Sequence, residues 1–427
     1  MTFKTSCSIL VVLLMGCVAS SSLADVLPGT VVVKAGDTLG ASTVSTLNAP
    51  FTDGNGRVGF VGSLADSQRF IWWNTGPVFY SGDALPDVLS GGEGTMGVSN
   101  TGGFIYSPSV NGNDAVYTHG GALLQKGDPI PPLPGLYSSF NSRPTMLPNG
   151  TAYWVGGSTP TQGSSTSTNR HLFMATDPTN PATITRVLGG GDVIEGKTIK
   201  TTASNFDYWI SDNGMHHIHA LDMDVTLNEH VYLDGTFVAQ EGGATGQGDN
   251  WSAFDIVAVN NDGHYIFTGD TDGATATDEF LAFDSTIAVR EGDTLDGHTL
   301  LSGYALRAAS INNLNQVVHM WGSSDDEHLF FGDGFDLANS IQLAQTGDVI
   351  DVDGDNIGDY QLTDFQASTA IGPGLSLAED GWVYIEAQMI PVGGGDEVEA
   401  IVGFYVPEPA SALLLGLGAL LALRRRS

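Results

Sequence analysis

A tandem repeat constrains the fold of this chain more than any other feature. Its clearest copy runs from Ser285 to Gly322, where a short apolar run leads into Gly292-Asp293 and an Asn-rich turn leads into a second apolar run. The Gly-Asp mark, once degenerate as Gly-Gly, occurs seven times at spacings of about 45 to 65 residues, which is typical of propeller blades. The marks are Gly36-Asp37, Gly82-Asp83, Gly127-Asp128, Gly191-Asp192, Gly242-Gly243, Gly292-Asp293 and Gly347-Asp348.

A second mark follows each Gly-Asp mark and predicts a tight turn between two strands, because Asn, Asp and Gly tolerate positive φ. These turns are Asn55-Gly56, Thr101-Gly102, Asn149-Gly150, Asn213-Gly214, Asp262-Gly263, Leu314-Asn315 and Asp380-Gly381. Short runs rich in Val, Ile, Phe, Tyr and Trp surround the turns and are typical of β-strands. Seven repeats of four strands predict an all-β fold, a seven-bladed β-propeller of four-stranded blades. Two β-sandwich domains are the alternative.

The two ends of the repeat region predict a closed ring. The run Thr30 to Lys34 leads into the first Gly-Asp mark without a blade of its own, whereas the last repeat stops after the third strand, at Ala400 to Val406. The N-terminal strand therefore completes the last blade. Ring closure removes the exposed sheet edges that an open array would keep.

The N-terminal segment, residues 1–24, has the pattern of a secretory signal peptide. Lys4 precedes an apolar core, and a small-residue cleavage site ends at Ala24. A lipoprotein signal before Cys17 is the alternative. Both cysteines, Cys7 and Cys17, lie in this segment, so a chain cleaved after Ala24 has neither a disulfide nor a cysteine-bound metal.

The C-terminal segment, residues 407–427, begins with Pro407, Glu408 and Pro409 and continues with a mostly apolar run, Ala410 to Leu423, and three arginines. The run is shorter than the roughly 20 residues of a comfortable membrane span, but flanking arginines can snorkel, so a short transmembrane helix is expected. The segment resembles the PEP-CTERM sorting signal of Gram-negative bacteria. That resemblance implies that the protein is inserted in the inner membrane before an exosortase processes it near Pro407-Glu408-Pro409. The processed protein is then expected at the cell surface or outside the cell.

The resemblance extends more weakly to the repeat region. Residues 25–406 form the expected propeller domain, and residues 30–406 are similar to the tandem-repeat propellers common among PEP-CTERM proteins, a group without an assigned activity. The chain carries a formal net charge of −33. Such a charge opposes binding to nucleic acid or an anionic membrane and favours divalent cations.

An Asp-rich insertion in the last repeat predicts a structural calcium site, because carboxylates at alternate positions of a tight loop can converge on one ion. The expected ligands are the carboxylates of Asp351, Asp353, Asp355 and Asp359 and the carbonyl of Ile357. The loop departs from the EF-hand pattern at Asn356 and Leu362, which replace the expected Gly and Glu. A solvated acidic turn is the alternative.

A histidine cluster, His216, His217 and His219, suggests a metal site. In a strand His217 and His219 share a face, and Asp222 or Asp224 is a candidate third ligand. Ordinary histidines on a polar strand face are the alternative.

Function follows less directly from the sequence. Tryptophans at strand positions predict either stacking platforms for sugar rings or core between blades. They are Trp72, Trp73, Trp154, Trp209, Trp251, Trp321 and Trp382. The turn Ser211 to Gly214 resembles the Asp-box turns of sialidases. Those enzymes also need an arginine cluster and a Tyr/Glu pair, and the seven arginines between residues 25 and 406 are not clustered in sequence.

We therefore expect a secreted, non-catalytic propeller that binds extracellular polysaccharide or a protein partner. The alternative is a secreted polysaccharide hydrolase with its site in the propeller channel. Several carboxylates or histidines with shifted pKa values at one mouth of the channel would favour the hydrolase.

Overall fold

The computed structural model describes residues 26–81, 89–90, 96–131, 133–160, 169–202, 205–323, 325–366 and 374–406. The predicted signal peptide with Ala24, the second Gly-Asp mark, and the C-terminal segment with Pro407, Glu408 and Pro409 lie outside these residues. The described chain is all-β apart from two short 3-10 helices, Pro181–Thr183 and Gly334–Asn339. No helix in the described part is long and apolar enough to cross a membrane.

The strands form small sheets arranged as a β-propeller. Within the described residues, seven sheets contain four or more strands, and we number them in chain order. Sheet 1 contains Thr38–Leu39, Ser42–Leu47, Phe51–Thr52, Val58–Leu64, Arg69–Trp73 and Gly76–Tyr80. Sheet 2 contains Leu89–Ser90, Met96–Val98, Phe104–Tyr106, Ser109–Val110, Asn113–Thr118 and Gly121–Gln125. Sheet 3 contains Leu136–Met146, Ala152–Thr159, Asn169–Ala175 and Ile184–Gly189.

The remaining sheets are antiparallel except for one parallel pair of strands in sheet 7. Sheet 4 contains Phe206–Ile210, His217–Asp222, Glu229–Leu233 and Thr236–Gln240. Sheet 5 contains Trp251–Val259, Tyr265–Thr271, Glu279–Phe283 and Thr286–Arg290. Sheet 6 contains Ala305–Ile311, Gln316–Ser323, Asp326–Asp333 and Ile341–Gln345. Sheet 7 contains Val26–Pro28, Thr30–Lys34, Val349–Asp351, Tyr360–Phe365, Leu375–Leu377, Trp382–Pro391 and Val398–Tyr405. Two separate hairpins pair Val193–Ile194 with Lys197–Thr198 and Thr294–Leu295 with His298–Thr299.

The inner strand of each sheet, which precedes the Asn-Gly type of turn, contacts the inner strands of neighbouring sheets. Trp251–Val259 contacts Phe206–Ile210 on one side and Ala305–Ile311 on the other. Leu375–Leu377 of sheet 7 contacts Phe51–Thr52 of sheet 1, and the Ser376 and Thr52 hydroxyl oxygens lie 2.8 Å apart. The inner strands therefore surround a common axis, and the chain returns to its starting sheet.

Both sequence marks form the turns they predict wherever they are described. The second residue of every Asn-Gly type of turn has a φ between 60° and 92°, Asn315 included. In the Gly-Asp marks the carboxylate accepts a hydrogen bond from the backbone three residues earlier, as from Gln125 N to Asp128 at 2.8 Å and from Arg290 N to Asp293 at 2.9 Å. The aspartate thus caps the outer strand where the chain crosses to the next sheet.

The predicted pairing of the N-terminal strand is confirmed. Thr30–Lys34 lies antiparallel to Val398–Tyr405 as the outer strand of sheet 7, with Thr30 opposite Gly403 and Lys34 opposite Ala400. Val33 of this strand is buried and packs with Ile401 and apolar residues of sheet 1. A further strand that the sequence did not predict, Val26–Pro28, pairs in parallel with Val349–Asp351.

Separate hydrophobic clusters fill the spaces between neighbouring sheets. One cluster joins sheets 4 and 5 through Ile218, Phe254, Phe267 and Phe280, and similar clusters join the other neighbours. Most tryptophans belong to this core, as the second of the two interpretations predicted. Trp72, Trp154, Trp251 and Trp321 are buried.

Within the described residues, four glutamates connect the third strand of one sheet to the next sheet. Each carboxylate accepts a hydrogen bond from a backbone N–H over a distance of 2.7 to 3.1 Å. The N–H belongs to the inner strand in sheets 5 and 6, and to the strand that precedes the inner strand in sheets 7 and 1. The pairs are Glu229 with Phe254, Glu279 with Leu306, Glu327 with Phe365, and Glu399 with Leu47. Because these strands carry register shifts, the bonds satisfy amides that an unbroken ladder would pair.

Candidate functional site

The turns that end the inner strands meet at one end of the axis, where hydrogen bonds run from turn to turn. The Asn261 side-chain oxygen accepts from Asn213 N at 2.8 Å, and the Asn313 side-chain oxygen accepts from Asn261 N at 2.8 Å. Glu379 continues the series, since its carboxylate accepts from Asn313 N at 2.9 Å and from the Asn313 amide at 2.7 Å. Sheets 4 to 7 are thereby joined in sequence at this end.

These turns line a cavity of about 60 Å³ on the axis, which we call the axial cavity. Its polar and aromatic lining includes Asp53, Trp209, Asp212, Asn313, Ser376 and Glu379. The half-buried Trp209 packs against the clusters between sheets 1 and 2, between sheets 4 and 5, and between sheets 5 and 6. A side chain that contacts non-neighbouring sheets lies at the axis itself.

The carboxyl groups of the axial cavity influence one another. Burial raises the pKa of Asp212, and the charge of Asp53 raises it further, whereas the hydrogen bond from the Asn313 amide at 3.2 Å lowers it. Burial also raises the pKa of Glu379; the Asn313 N–H opposes the rise, and the charge of Asp212 adds to it. Asp53 has its own partners, the Arg57 guanidinium at 2.8 Å and the Trp73 indole N–H at 3.2 Å.

This arrangement suits a ligand with many hydroxyl groups. The indole of Trp209 offers a flat apolar face, the carboxyl groups of Asp53, Asp212 and Glu379 accept hydrogen bonds, and the Asn313 amide both donates and accepts. A few convergent polar groups around an apolar surface are typical of small-molecule sites.

A second group of charged side chains lies on and beside the inner strands. The Arg143 guanidinium is 3.4 Å from the Asp207 carboxylate, and Arg307 is 3.1 Å from Glu327. Burial, followed by the neighbouring Asp270, raises the pKa of Glu279 to about 8. Burial and the adjacent Asp364 raise the pKa of Glu327 to about 8.

The pair Glu386 and Glu399 continues this group across the ring closure. Burial, with the hydrogen bond and charge of Glu399, raises the pKa of Glu386 to about 9. Glu279, Glu327 and Glu399 are also the glutamates that connect neighbouring sheets. The shifted pKa values therefore belong to a feature repeated around the ring.

Only part of the histidine cluster lies on one face of the sheet in the structure. His217 and His219 share one face of sheet 4, as predicted, with ring centroids 6.3 Å apart. The predicted third ligands are wrong: Asp222 lies at the far end of the strand, where its carboxylate accepts from Asn205 N and the Asn228 amide, and Asp224 is exposed beyond it.

Burial lowers the pKa of both histidines on that face. For His219 burial and the neighbouring His217 lower it to about 3. For His217 burial lowers the pKa, and the charge of Asp234 opposes the shift. Burial disfavours the charged imidazolium, so both rings are neutral near pH 7.

The Asp-rich loop brings together some of its predicted ligands. Carboxylate oxygens of Asp351, Asp353 and Asp359 lie within 4.8 Å of one another. Asp355 is outside that group, and its carboxylate accepts from Ile357 N at 2.7 Å.

The central carboxylate of the loop already has backbone partners. Asp351 accepts from Gly354 N and Asn356 N, each at 2.7 Å. Burial acts to raise the pKa of Asp351, but the backbone donors together lower it. Asn356 adopts a φ of 64°, the conformation for which an EF-hand uses Gly. The loop geometry thus accommodates a cation without requiring one, and calcium stays a prediction.

The sequence reasoning missed the axial cavity. It predicted the turns of Asp53, Asp212 and Glu379 but not that these carboxyl groups meet. The available signal was their position in the repeat, since Asp212 and Glu379 stand one residue before the second mark and Asp53 stands two residues before it. Corresponding turns of a ring converge on its axis, so residues in these turns approach one another.

Comparisons with known proteins give no family. No protein-family model and no curated protein matches the chain. Among solved structures, prolyl oligopeptidase B from Galerina marginata matches 82% of this chain at 12% identity and a TM-score of 0.41, and this chain spans 47% of that protein. An α-L-arabinanase from Penicillium chrysogenum, complexed with arabinobiose, matches 88% of this chain and 97% of its own at 11% identity and a TM-score of 0.35. Likenesses this distant carry no argument about the function of this chain.

Proposed function

We propose that the protein is a secreted, non-catalytic β-propeller of seven blades that binds extracellular polysaccharide in its axial cavity. The observation that carries the proposal is the convergence of Trp209 with Asp53, Asp212, Glu379 and the Asn313 amide at one end of the axis. A sugar ring has an apolar C–H face that stacks on indole and hydroxyl groups that bond to carboxylates and amides. The seven sheets of four or more strands support the blade number.

The role of the carboxyl groups favours binding over hydrolysis. The carboxyl groups of Asp212 and Glu379 are bonded to Asn313 in the series that joins the turns. Glu279 and Glu327, with pKa values near 8, are connections between sheets, and Glu386, with a pKa near 9, is paired with the connecting Glu399. An active site occurs once in a chain, whereas a feature repeated in successive sheets serves the architecture.

A polysaccharide hydrolase is the second candidate, favoured by one observation. Asp212 and Glu379 face the same cavity, and both have a raised pKa. Glycoside hydrolysis uses a pair of carboxyl groups, one of them held protonated by its surroundings.

Binding to a glycan array, paired with a reducing-sugar assay on each bound glycan, distinguishes the two functions. We expect binding without release of reducing ends, and about fivefold weaker binding for Trp209→Ala, since stacking on the indole supplies about 1 kcal/mol. Trp382→Ala is the matched control, because Trp382 is half-buried against Tyr384 and Tyr405, away from the cavity. Glycan release that disappears in Asp212→Asn would establish the hydrolase instead.

We also propose that the chain is exported and sorted. The support is the resemblance of residues 407–427 to a PEP-CTERM signal, with Pro407, Glu408 and Pro409 before the apolar run. In a host with an exosortase, mass spectrometry of the surface protein should find an N-terminus after Ala24 and no peptide from residues 410–427. A surface protein that still ends in Arg426-Ser427 argues for a plain membrane anchor.

The Asp-rich loop is proposed as a weak structural calcium site. The proximity of Asp351, Asp353 and Asp359 supports it. Calorimetry should give an affinity of about 10⁻⁴ to 10⁻³ M, as in extracellular modules, together with a calcium-dependent rise in melting temperature. Asp353→Ala should lose both effects, while Asp333→Ala, an acidic residue outside the loop, should keep them. Equal heats for wild type and Asp353→Ala would contradict the site.

A further inference from the structure

A second cavity lies between sheets 3 and 4 and shares no lining residue with the axial cavity. We call it the inter-sheet cavity. Its lining is Val187 and Leu188 from the outer strand of sheet 3 and His217, His219, Tyr232 and Asp234 from sheet 4. Two imidazoles, a phenol and a carboxylate thus face a small space beside an apolar wall.

The strand register places these four polar side chains together. His217 and His219 are two residues apart on the second strand, so they point to the same face. Tyr232 lies directly opposite His219 on the third strand, with ring centroids 5.6 Å apart. Asp234 continues the pairing opposite His217, since Asp234 N donates to His217 O at 3.1 Å and the Asp234 carboxylate accepts from His217 N at 2.8 Å.

His219 carries an unexplained polar atom. Its side chain is 1% exposed, and its Nδ1 has no hydrogen-bond partner. Two other buried histidines are satisfied: His171 lies 2.9 Å from the Ser158 hydroxyl, and His319 accepts from the Trp321 indole N–H at 2.9 Å. A buried ring nitrogen without a partner costs free energy unless something outside the chain completes its contacts.

We propose that His217 and His219 bind one divalent transition-metal ion, Zn²⁺ or Cu²⁺, in the inter-sheet cavity. Imidazole nitrogen suits these ions, whereas Ca²⁺ and Mg²⁺ prefer oxygen ligands. With a metal–nitrogen distance of about 2.0 to 2.1 Å, tetrahedral coordination of one ion places the centroids of two imidazole rings about 5 Å apart. The two centroids lie 6.3 Å apart without an ion, so binding requires the rings to approach each other by about 1 Å through small side-chain rotations.

The remaining groups fit a cation at this position. The Asp234 carboxylate adds negative charge at the edge of the cavity while it remains bonded to His216 Nδ1 at 2.6 Å. The Tyr232 hydroxyl and water supply the remaining ligands, which are oxygen atoms. The site is separate from the Asp-rich loop of sheet 7, whose oxygen ligands select the opposite class of ion.

Copper titration of the tag-free secreted protein tests the proposal. Electron paramagnetic resonance should show one Cu²⁺ per chain with nitrogen hyperfine structure, and excess Ca²⁺ should not displace it. His217→Ala should bind Cu²⁺ and Zn²⁺ at least tenfold more weakly and lose the nitrogen pattern. His216→Ala is the matched control, because His216 is adjacent in sequence yet bonded to Asp234, and its affinity should stay within about twofold.

The folding of the variants is checked by melting temperature. His217 is only half-buried, so His217→Ala should fold even if a change at the buried His219 does not. Added Zn²⁺ should raise the melting temperature of wild type and of His216→Ala but not that of His217→Ala. Unchanged metal affinity in His217→Ala, equal losses in His216→Ala, or the absence of nitrogen ligands on bound copper would overturn the proposal.

Discussion

At the scale of single residues, burial is the first cause of the raised pKa values of Glu279, Glu327 and Glu386, and neighbouring carboxyl groups add to it. Glu327 has almost no solvent exposure, accepts a hydrogen bond from Phe365 N at 2.7 Å, and lies beside both Arg307 and Asp364. Its pKa is nevertheless raised, since burial and the second carboxyl group outweigh the guanidinium. A carboxyl pair in such a site tends to hold one proton between two groups.

The stability of the protein should therefore fall as the pH rises above neutrality. In the folded state the pKa of Glu279 and of Glu327 is about 8 and that of Glu386 about 9, against an ordinary value of 4.5. A raised pKa contributes stability that is complete below about 4.5, declines as the pH rises above that value, and is gone above the folded-state values of 8 to 9. The melting temperature should decline from pH 6.5 to about pH 9 and level off above that.

The variant Glu327→Gln separates this effect from other titrations. Glutamine keeps an oxygen that accepts from Phe365 N but binds no proton, so the decline in melting temperature should become shallower. A constant or rising melting temperature between pH 6.5 and pH 9.5 would show that these carboxyl groups do not govern stability.

Removal of the Glu327 side chain should destabilise the fold strongly. Glu327→Ala leaves the Phe365 N–H without its acceptor and removes the contact with Arg307, and an unsatisfied buried donor costs about 1 to 3 kcal/mol. Urea denaturation measures the difference. Glu397→Ala, which alters an exposed glutamate bonded to Thr363, should change the unfolding free energy by less than about 0.5 kcal/mol. Equal effects of the two variants would refute the connecting role of Glu327.

At the scale of elements, the turns were predictable because local chemistry decides them. Gly150 and Gly381 adopt positive φ, and Asp128 caps its own strand, so the residues themselves carry the information. The connecting glutamates were not predictable in this way. Glu399 and Leu47 are 352 residues apart, and no local pattern indicates which backbone amide lacks a partner. The parallel strand Val26–Pro28 was missed for the same reason, since its partner is distant in the chain.

Alanine substitutions at two glycines in equivalent turns distinguish the cost of backbone strain from the cost of steric contact. Gly150 and Gly381 have φ values of 92° and 86°, but a Cβ at Gly381 would lie 2.5 Å from Val406 O, whereas none of the surrounding atoms lies within 4 Å of a Cβ at Gly150. Gly150→Ala should cost about 1 to 2 kcal/mol from backbone strain alone. Gly381→Ala should cost at least about 1 kcal/mol more, measured by chemical denaturation. Equal losses of unfolding free energy in the two variants would mean that the backbone near Val406 shifts without a measurable cost.

At the scale of the whole molecule, the axial cavity depends on the ring. Asp53, Asp212 and Glu379 are far apart in sequence, and each precedes a turn with an ordinary local role. They meet because the inner strands of successive sheets contact one another and the series returns from sheet 7 to sheet 1. A repeat in the sequence predicts equivalent positions, but which side chains meet across the axis depends on blade number and tilt, which short-range patterns do not contain.

Ring closure should govern the stability of the entire domain. Val33 is 3% exposed and packs with Ile401 and with Val44 of sheet 1, so the N-terminal strand joins the first sheet to the last. Val33→Asp places a charge in this apolar contact and should cost about 3 kcal/mol or more. Thr30→Asp alters an exposed position of the same strand and should cost less than about 0.5 kcal/mol. Because an opened ring exposes two sheet edges, calorimetry of Val33→Asp should show one cooperative transition at a lower temperature. An unchanged main transition, with only a small early loss of structure, would mean that the strand frays independently and does not hold the ring closed.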